Sequence, residues 1–98
     1  MAFFMGNIVL ENDKKKLSTD KVNKPAMNNI ILFNDDLNTF EFVSSMLIEI
    51  CNHEPVQAEQ CTYLVHYSGK CSVKTGTYEN LKPILEALLN NGLTASIE

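Results

Sequence analysis

The sequence contains no arginine. All eight of its basic residues are lysine, against twelve acids, for a formal net charge of −4. Arginine is the usual source of bidentate contacts to bases and phosphates, so this composition argues against a nucleic-acid partner. Cysteine is scarce and odd in number. Cys51, Cys61 and Cys71 show no disulfide-framework spacing, which points to free thiols in a reducing, cytoplasmic setting. No apolar run approaches the roughly 20 residues of a membrane span. The apolar start with Phe3, Phe4 and Met5 lacks a basic lead, is broken by Gly6 and Asn7, and does not read as a signal peptide. No serine sits in a Gly-x-Ser-x-Gly elbow. At 98 residues the chain can bury one small core, but not a two-lobed enzyme with a deep cleft.

The charge that is present is unevenly spread. Residues 1–24 carry a net +2, with Lys14, Lys15 and Lys16 in a row, and residues 25–98 carry −6. The first 24 residues hold little to bury beyond the opening apolar stretch and read as a flexible tail. Pro25 marks the boundary, with a folded domain over 25–98. An acidic body suits a cationic ligand.

Within that body the pattern predicts β-α-α-β-α-β. A first strand over 27–34 includes the run Ile30-Ile31-Leu32-Phe33 and reads as buried on both faces. Asn38 and Glu41 have the spacing of a capping box, which opens a helix to about residue 52. Pro55 starts a second helix, with Val56, Ala58, Cys61, Leu64 and Val65 inward and Gly69 at its end. Residues 70–75 alternate, with Cys71, Val73 and Thr75 on one face and Lys70, Ser72 and Lys74 on the other. Pro83 favours a third helix that starts at Glu79 or Asn80 and runs to about 90, so that the proline falls in the first turn. A last strand covers 93–97. The fold class is α+β: a two-layer sandwich of a three-stranded sheet packed on three helices.

Chemistry concentrates where the first strand runs into Asn34-Asp35-Asp36. The plainest reading is turn and cap chemistry, since Asn and Asp bond nearby backbone N–H groups. A metal-holding acidic pocket is a second reading, but it belongs to folds with a different strand order. A Cys/His site is a third, although Cys51-x-His53 and Cys61-x₄-His66 match no common zinc spacing. The fourth is recognition of a cation. A carboxylate, an amide oxygen and an imidazole nitrogen can together accept the three N–H bonds of an ammonium group. A peptide's free N-terminus offers such a group with a side chain one carbon away. His66 at a helix end could equally serve the last carbonyls of that helix, and Phe40 on a helical stripe could be core.

Asn34-Asp35-Asp36 after an apolar strand, Phe40-Glu41-Phe42-Val43 opening a helix, and Val65-His66-Tyr67-x-Gly69-Lys70 together resemble the ClpS adaptor family. The likeness covers residues 25–98. It implies a non-enzymatic adaptor of the bacterial N-end rule, acting as a monomer without a cofactor. Such adaptors bind proteins with N-terminal Phe, Tyr, Trp or Leu and deliver them to a ClpA- or ClpC-type unfoldase for degradation by ClpP. By position, the resemblance assigns Asn34, Asp36 and His66 to the α-ammonium, with Asp35 in support. It assigns Leu32, Phe33, Asn38, Phe40, Val43, Thr62 and Leu93 to the side-chain pocket. Glu79, with Lys82 close by, falls on the surface used against the unfoldase's N-terminal domain, and the tail would engage the unfoldase during delivery. This chain departs from the family pattern at Asn38-Thr39, usually Thr-Pro, and at Phe40 and Thr62, both usually Met. An interaction module of the same fold that modulates an unfoldase without reading N-termini is the alternative.

Overall fold

The computed structural model of the chain describes residues 26–98, and the expected tail over 1–24 lies outside them. The elements are β1 (Asn28–Phe33), α1 (Phe40–Cys51), α2 (Pro55–Ser68), β2 (Lys70–Gly76), α3 (Tyr78–Asn90) and β3 (Thr94–Ile97). β1 is the central strand, antiparallel to both β2 and β3. All three helices contribute to one core against the sheet face that carries Ile30 and Leu32, giving the expected two-layer α+β sandwich. Leu47, Leu81 and Leu88 are the helices' fully buried anchors. Each contributes about 1.5–3 kcal/mol by leaving water. No helix among the described residues is long and apolar enough to cross a membrane.

Four local expectations are corrected. β1 is not buried on both faces: Ile30 and Leu32 are buried, while Ile31 and Phe33 are only half-covered, because the helices occupy one side of the sheet. β2 does not alternate regularly. Its pairing with β1 jumps from Ile30–Lys74 to Ile31–Ser72, so Val73 is an extra, bulged residue. The bulge resets the faces. Thr75 joins Ser72 on the Asn29 side, both hydroxyls donating to Asn29 Oδ1 at 2.7 and 3.2 Å. Lys74 turns toward α1 and donates from Nζ to Cys51 O at 3.1 Å, a cation on the negative end of the helix.

On α2 the inner face is Ala58, Cys61, Thr62 and Val65; Val56 and Leu64 are exposed. On α3 the helix starts at Tyr78 because Thr77 Oγ1 accepts from Asn80 N at 3.2 Å. Pro83 therefore lies inside the helix rather than in its first turn. The carbonyl its missing N–H would have met belongs to Glu79. Both residues are exposed, so water can take up that carbonyl.

The bulge also explains His53. This residue is 6% exposed, and its Nε2–H donates to Val73 O, which the bulge leaves available, at 2.6 Å. Among the described residues Nδ1 is buried without a partner. Burial pushes the ring's pKa below the ordinary value; the bond to Val73 opposes this and Lys74 reinforces it.

Candidate functional site

A cavity of about 480 Å³ opens at the C-terminal end of β1. Its floor and mouth come from four places in the chain: the end of β1 with the following loop, the first turn of α1, the last two turns of α2, and Leu93 before β3. The loop is wired by Asp35. Its Oδ1 accepts from Leu37 N at 2.9 Å and from Asn38 N at 3.0 Å, and its Oδ2 accepts from Asn38 Nδ2 at 2.9 Å. Slight burial pushes this carboxyl's pKa up. The bonds from Leu37 N–H and from the side chain and N–H of Asn38 outweigh it and hold the group below its ordinary value. The tight turn throws Leu37 outward, 90% exposed.

Asn38 does not cap α1 as its spacing suggested. Its amide is drawn to Asp35 and also donates to Gly92 O at 3.0 Å, tying the loop to the chain just before β3. Thr39 is the N-cap instead, its Oγ1 accepting from Phe42 N at 3.1 Å. On the other side of the mouth, Asn34 N donates to Gly69 O at 2.9 Å. Gly69 ends α2 in the left-handed region at φ 95°, a conformation glycine adopts without a Cβ clash. That bond brings the end of β1 beside the last turn of α2, where His66 sits.

The cavity gathers all eleven residues assigned to the ammonium and side-chain sites. Asn34, Asp35, Asp36 and His66 line it together with Leu32, Phe33, Asn38, Phe40, Val43, Thr62 and Leu93. Asn34, Asp36 and His66 are exposed at this lining, whereas the oxygens of Asp35 are engaged by the loop itself. Thr62 is 3% exposed and its hydroxyl donates to Ala58 O at 2.7 Å, so the donor is satisfied within α2 and adds no free polar group to the wall. Glu79 and Lys82 are exposed on α3 and form no part of the cavity.

Tyr63 and Tyr67 also line the cavity, with Thr39 and Val65, and sequence reasoning missed all four as site residues. Tyr63 meets Phe40 edge-on with ring centroids 4.9 Å apart and stacks on Tyr67 at 5.8 Å; Tyr67 in turn meets His66 edge-on at 4.8 Å. The available signal was the i, i+4 spacing of the two tyrosines around His66, on the side of α2 that lacks core residues.

The cysteines lie elsewhere. Burial pushes the Cys51 thiol up to about 11. The Cys61 and Cys71 side chains act on each other: Cys61 is pushed up, with burial adding to the effect, and Cys71 is pushed down against burial. Among the described residues no three His, Cys, Asp or Glu side chains gather as a metal site.

With this geometry in place, the family described as ATP-dependent Clp protease adaptor protein ClpS matches residues 23–96. The chain belongs to the ClpS adaptor family. The ClpS protein of Nitratidesulfovibrio vulgaris is 37% identical over 75 residues, covering 74% of this chain and 75% of that one. That of Clostridium acetobutylicum is 44% identical over 59 residues, covering 60% and 55%. The solved structure of Agrobacterium tumefaciens ClpS2 bound to L-phenylalaninamide has the same fold, with a TM-score of 0.66 at 20% identity, covering 76% of this chain and 98% of that one. The protein is thus a ClpS adaptor of the Clp protease, in a family of adaptors rather than catalysts.

Proposed function

We propose that this ClpS adaptor selects proteins by a destabilising N-terminal residue (Phe, Tyr, Trp or Leu) and delivers them in the cytoplasm to a ClpA- or ClpC-type unfoldase. The observation that carries this reading is the convergence of Asn34, Asp36 and His66 with an apolar wall around one cavity. A peptide α-amino group has a pKa of about 7.7–8.0 and is mostly protonated near neutrality. Its three N–H bonds suit an amide oxygen, a carboxylate and an imidazole nitrogen. Leu32, Val43, Thr62 and Leu93 then surround the first side chain, with Phe40 at the rim. Asp35 acts one step back by holding the loop. The L-phenylalaninamide bound by the Agrobacterium protein pairs a free α-amino group with a benzyl side chain, the combination this cavity suits.

Delivery uses a different surface. Glu79 and Lys82 on the exposed side of α3 contact the unfoldase's N-terminal domain, and residues 1–24 engage the unfoldase. A substrate head in the cavity and an unfoldase on α3 therefore do not compete.

A fluorescence titration with Phe-initiated peptide tests the first half. Binding is expected, with Val- and Ile-initiated peptides weaker because a second substituent at Cβ meets the rim. Asp36→Ala or His66→Ala should weaken Phe-peptide binding about tenfold, or about 1.4 kcal/mol. Failure of every N-terminal residue to bind would instead favour an interaction module that modulates the unfoldase without reading N-termini.

A further inference from the structure

The aromatic side chains of α2 exceed what the fold needs. Tyr63 is 50% and Tyr67 75% exposed, and neither belongs to the core. Their rings nevertheless hold a defined arrangement, stacked at 5.8 Å with planes 10° apart. The row continues at both ends, to Phe40 at the cavity rim and to His66. A shelf of rings therefore runs from the cavity's edge to the group assigned to the α-ammonium.

We propose that Tyr63 and Tyr67 form a second subsite, which takes the side chain of the substrate's second residue and prefers a cationic one, arginine above lysine. The inference rests on the N-terminal reading given above. A chain whose first residue is held in the cavity must leave by the same mouth. Consecutive Cα atoms are about 3.8 Å apart, so the second side chain starts within reach of the rings beside His66. Ring faces attract cations, and a planar guanidinium stacks on them better than an ammonium does. The charge around the shelf agrees. Among the described residues the cavity lining contains the carboxylates of Asp35 and Asp36 and no lysine; exposed Glu59 lies one helical turn before Tyr63, and exposed Lys70 follows three residues after Tyr67, outside the lining. An acidic second residue meets repulsion from these carboxylates.

The test compares peptides that begin Phe-Arg, Phe-Ala and Phe-Asp and are otherwise identical, titrated against the wild type, the Tyr63→Leu/Tyr67→Leu double variant and the Tyr63→Phe/Tyr67→Phe double variant. The readout is the Arg-to-Ala affinity ratio within each protein, which cancels any change in the first subsite. In the wild type Phe-Arg should bind about two- to fivefold tighter than Phe-Ala, and Phe-Asp more weakly than either. The leucine pair should bring the Arg-to-Ala ratio close to one, and the phenylalanine pair should keep most of it. Equal binding of Phe-Arg and Phe-Ala by the wild type overturns the second subsite and leaves the first intact. An Arg preference that survives the leucine pair assigns it to the carboxylates alone and likewise overturns the role of the rings. Failure of all three peptides to bind the wild type overturns the N-terminal reading and the second subsite together.

Discussion

The loop at Asp35 and the wall at Tyr63 border the same cavity but are built by different means. The loop is held by polar bonds: one carboxylate gathers Leu37 N, Asn38 N and the Asn38 amide, and that amide also reaches Gly92 O. The wall is held by apolar packing between distant elements, with Phe40 of α1 meeting Tyr63 of α2. Hydrogen bonds to a charged acceptor fix position and direction closely. Ring contacts are less directional and tolerate substitution at similar volume. The position of the proposed ammonium site would thus be set by stiff polar wiring, and the breadth of side chains accepted by a surface that can change residue by residue. The departures from the family pattern at Phe40 and Thr62 fall on that second surface.

Breaking the loop should have the larger consequence. Asp35→Ala removes the shared acceptor of three bonds, and thermal or urea unfolding should show a loss of about 1–3 kcal/mol. Binding of a Phe-initiated peptide should fall with it, although Asp35 is not assigned a contact to the ammonium. The acid response carries the same signature. Bonding holds the Asp35 carboxyl below its ordinary 3.8, so its contribution is complete above that value and is lost as pH falls through the folded-state value. Asp35→Ala should lack that component of acid unfolding. Unchanged stability and unchanged peptide affinity would show that the loop keeps its shape without this carboxylate.

Changing the wall should have a smaller and more selective effect. Thr62→Met restores the residue usual in the family and adds bulk beside the cavity, while removing a hydroxyl already satisfied by Ala58 O. Affinity for Trp- and Tyr-initiated peptides should fall about two- to tenfold relative to Leu-initiated ones, with the unfolding midpoint shifting little. A uniform loss across all first residues would place Thr62 with the loop rather than the wall, and the contrast between the two regions would fail.

The same contrast explains how much of the molecule was legible in the sequence. The element order was readable because apolar periodicity, Pro55 and Gly69 each act locally. Asn34, Asp36 and His66 could be picked out by side-chain chemistry and by the two motifs that contain them. Four features were not legible, for related reasons. Asn38 looked like a cap because its tertiary partner, Gly92 O, is 54 residues away. Lys74 and Thr75 were assigned to the wrong faces because a bulge at Val73 leaves no simple mark in an alternating strand. Pro83 argued for a later helix start, but the Thr77 cap prevailed because the orphaned carbonyl is exposed. Tyr63 and Tyr67 escaped notice because their value lies in meeting Phe40 and His66, which only the folded chain shows.

Recognition of a free α-ammonium by this cavity is best tested by chemical removal of that charge. One Phe-initiated peptide is titrated against the wild-type protein in two forms, with its N-terminus free and with it acetylated. The side chain and the rest of the peptide are then identical, so only the ammonium differs. The free form should bind, and the acetylated form should be weaker by at least about tenfold. Equal affinity of the two forms would show that the cavity does not read the ammonium.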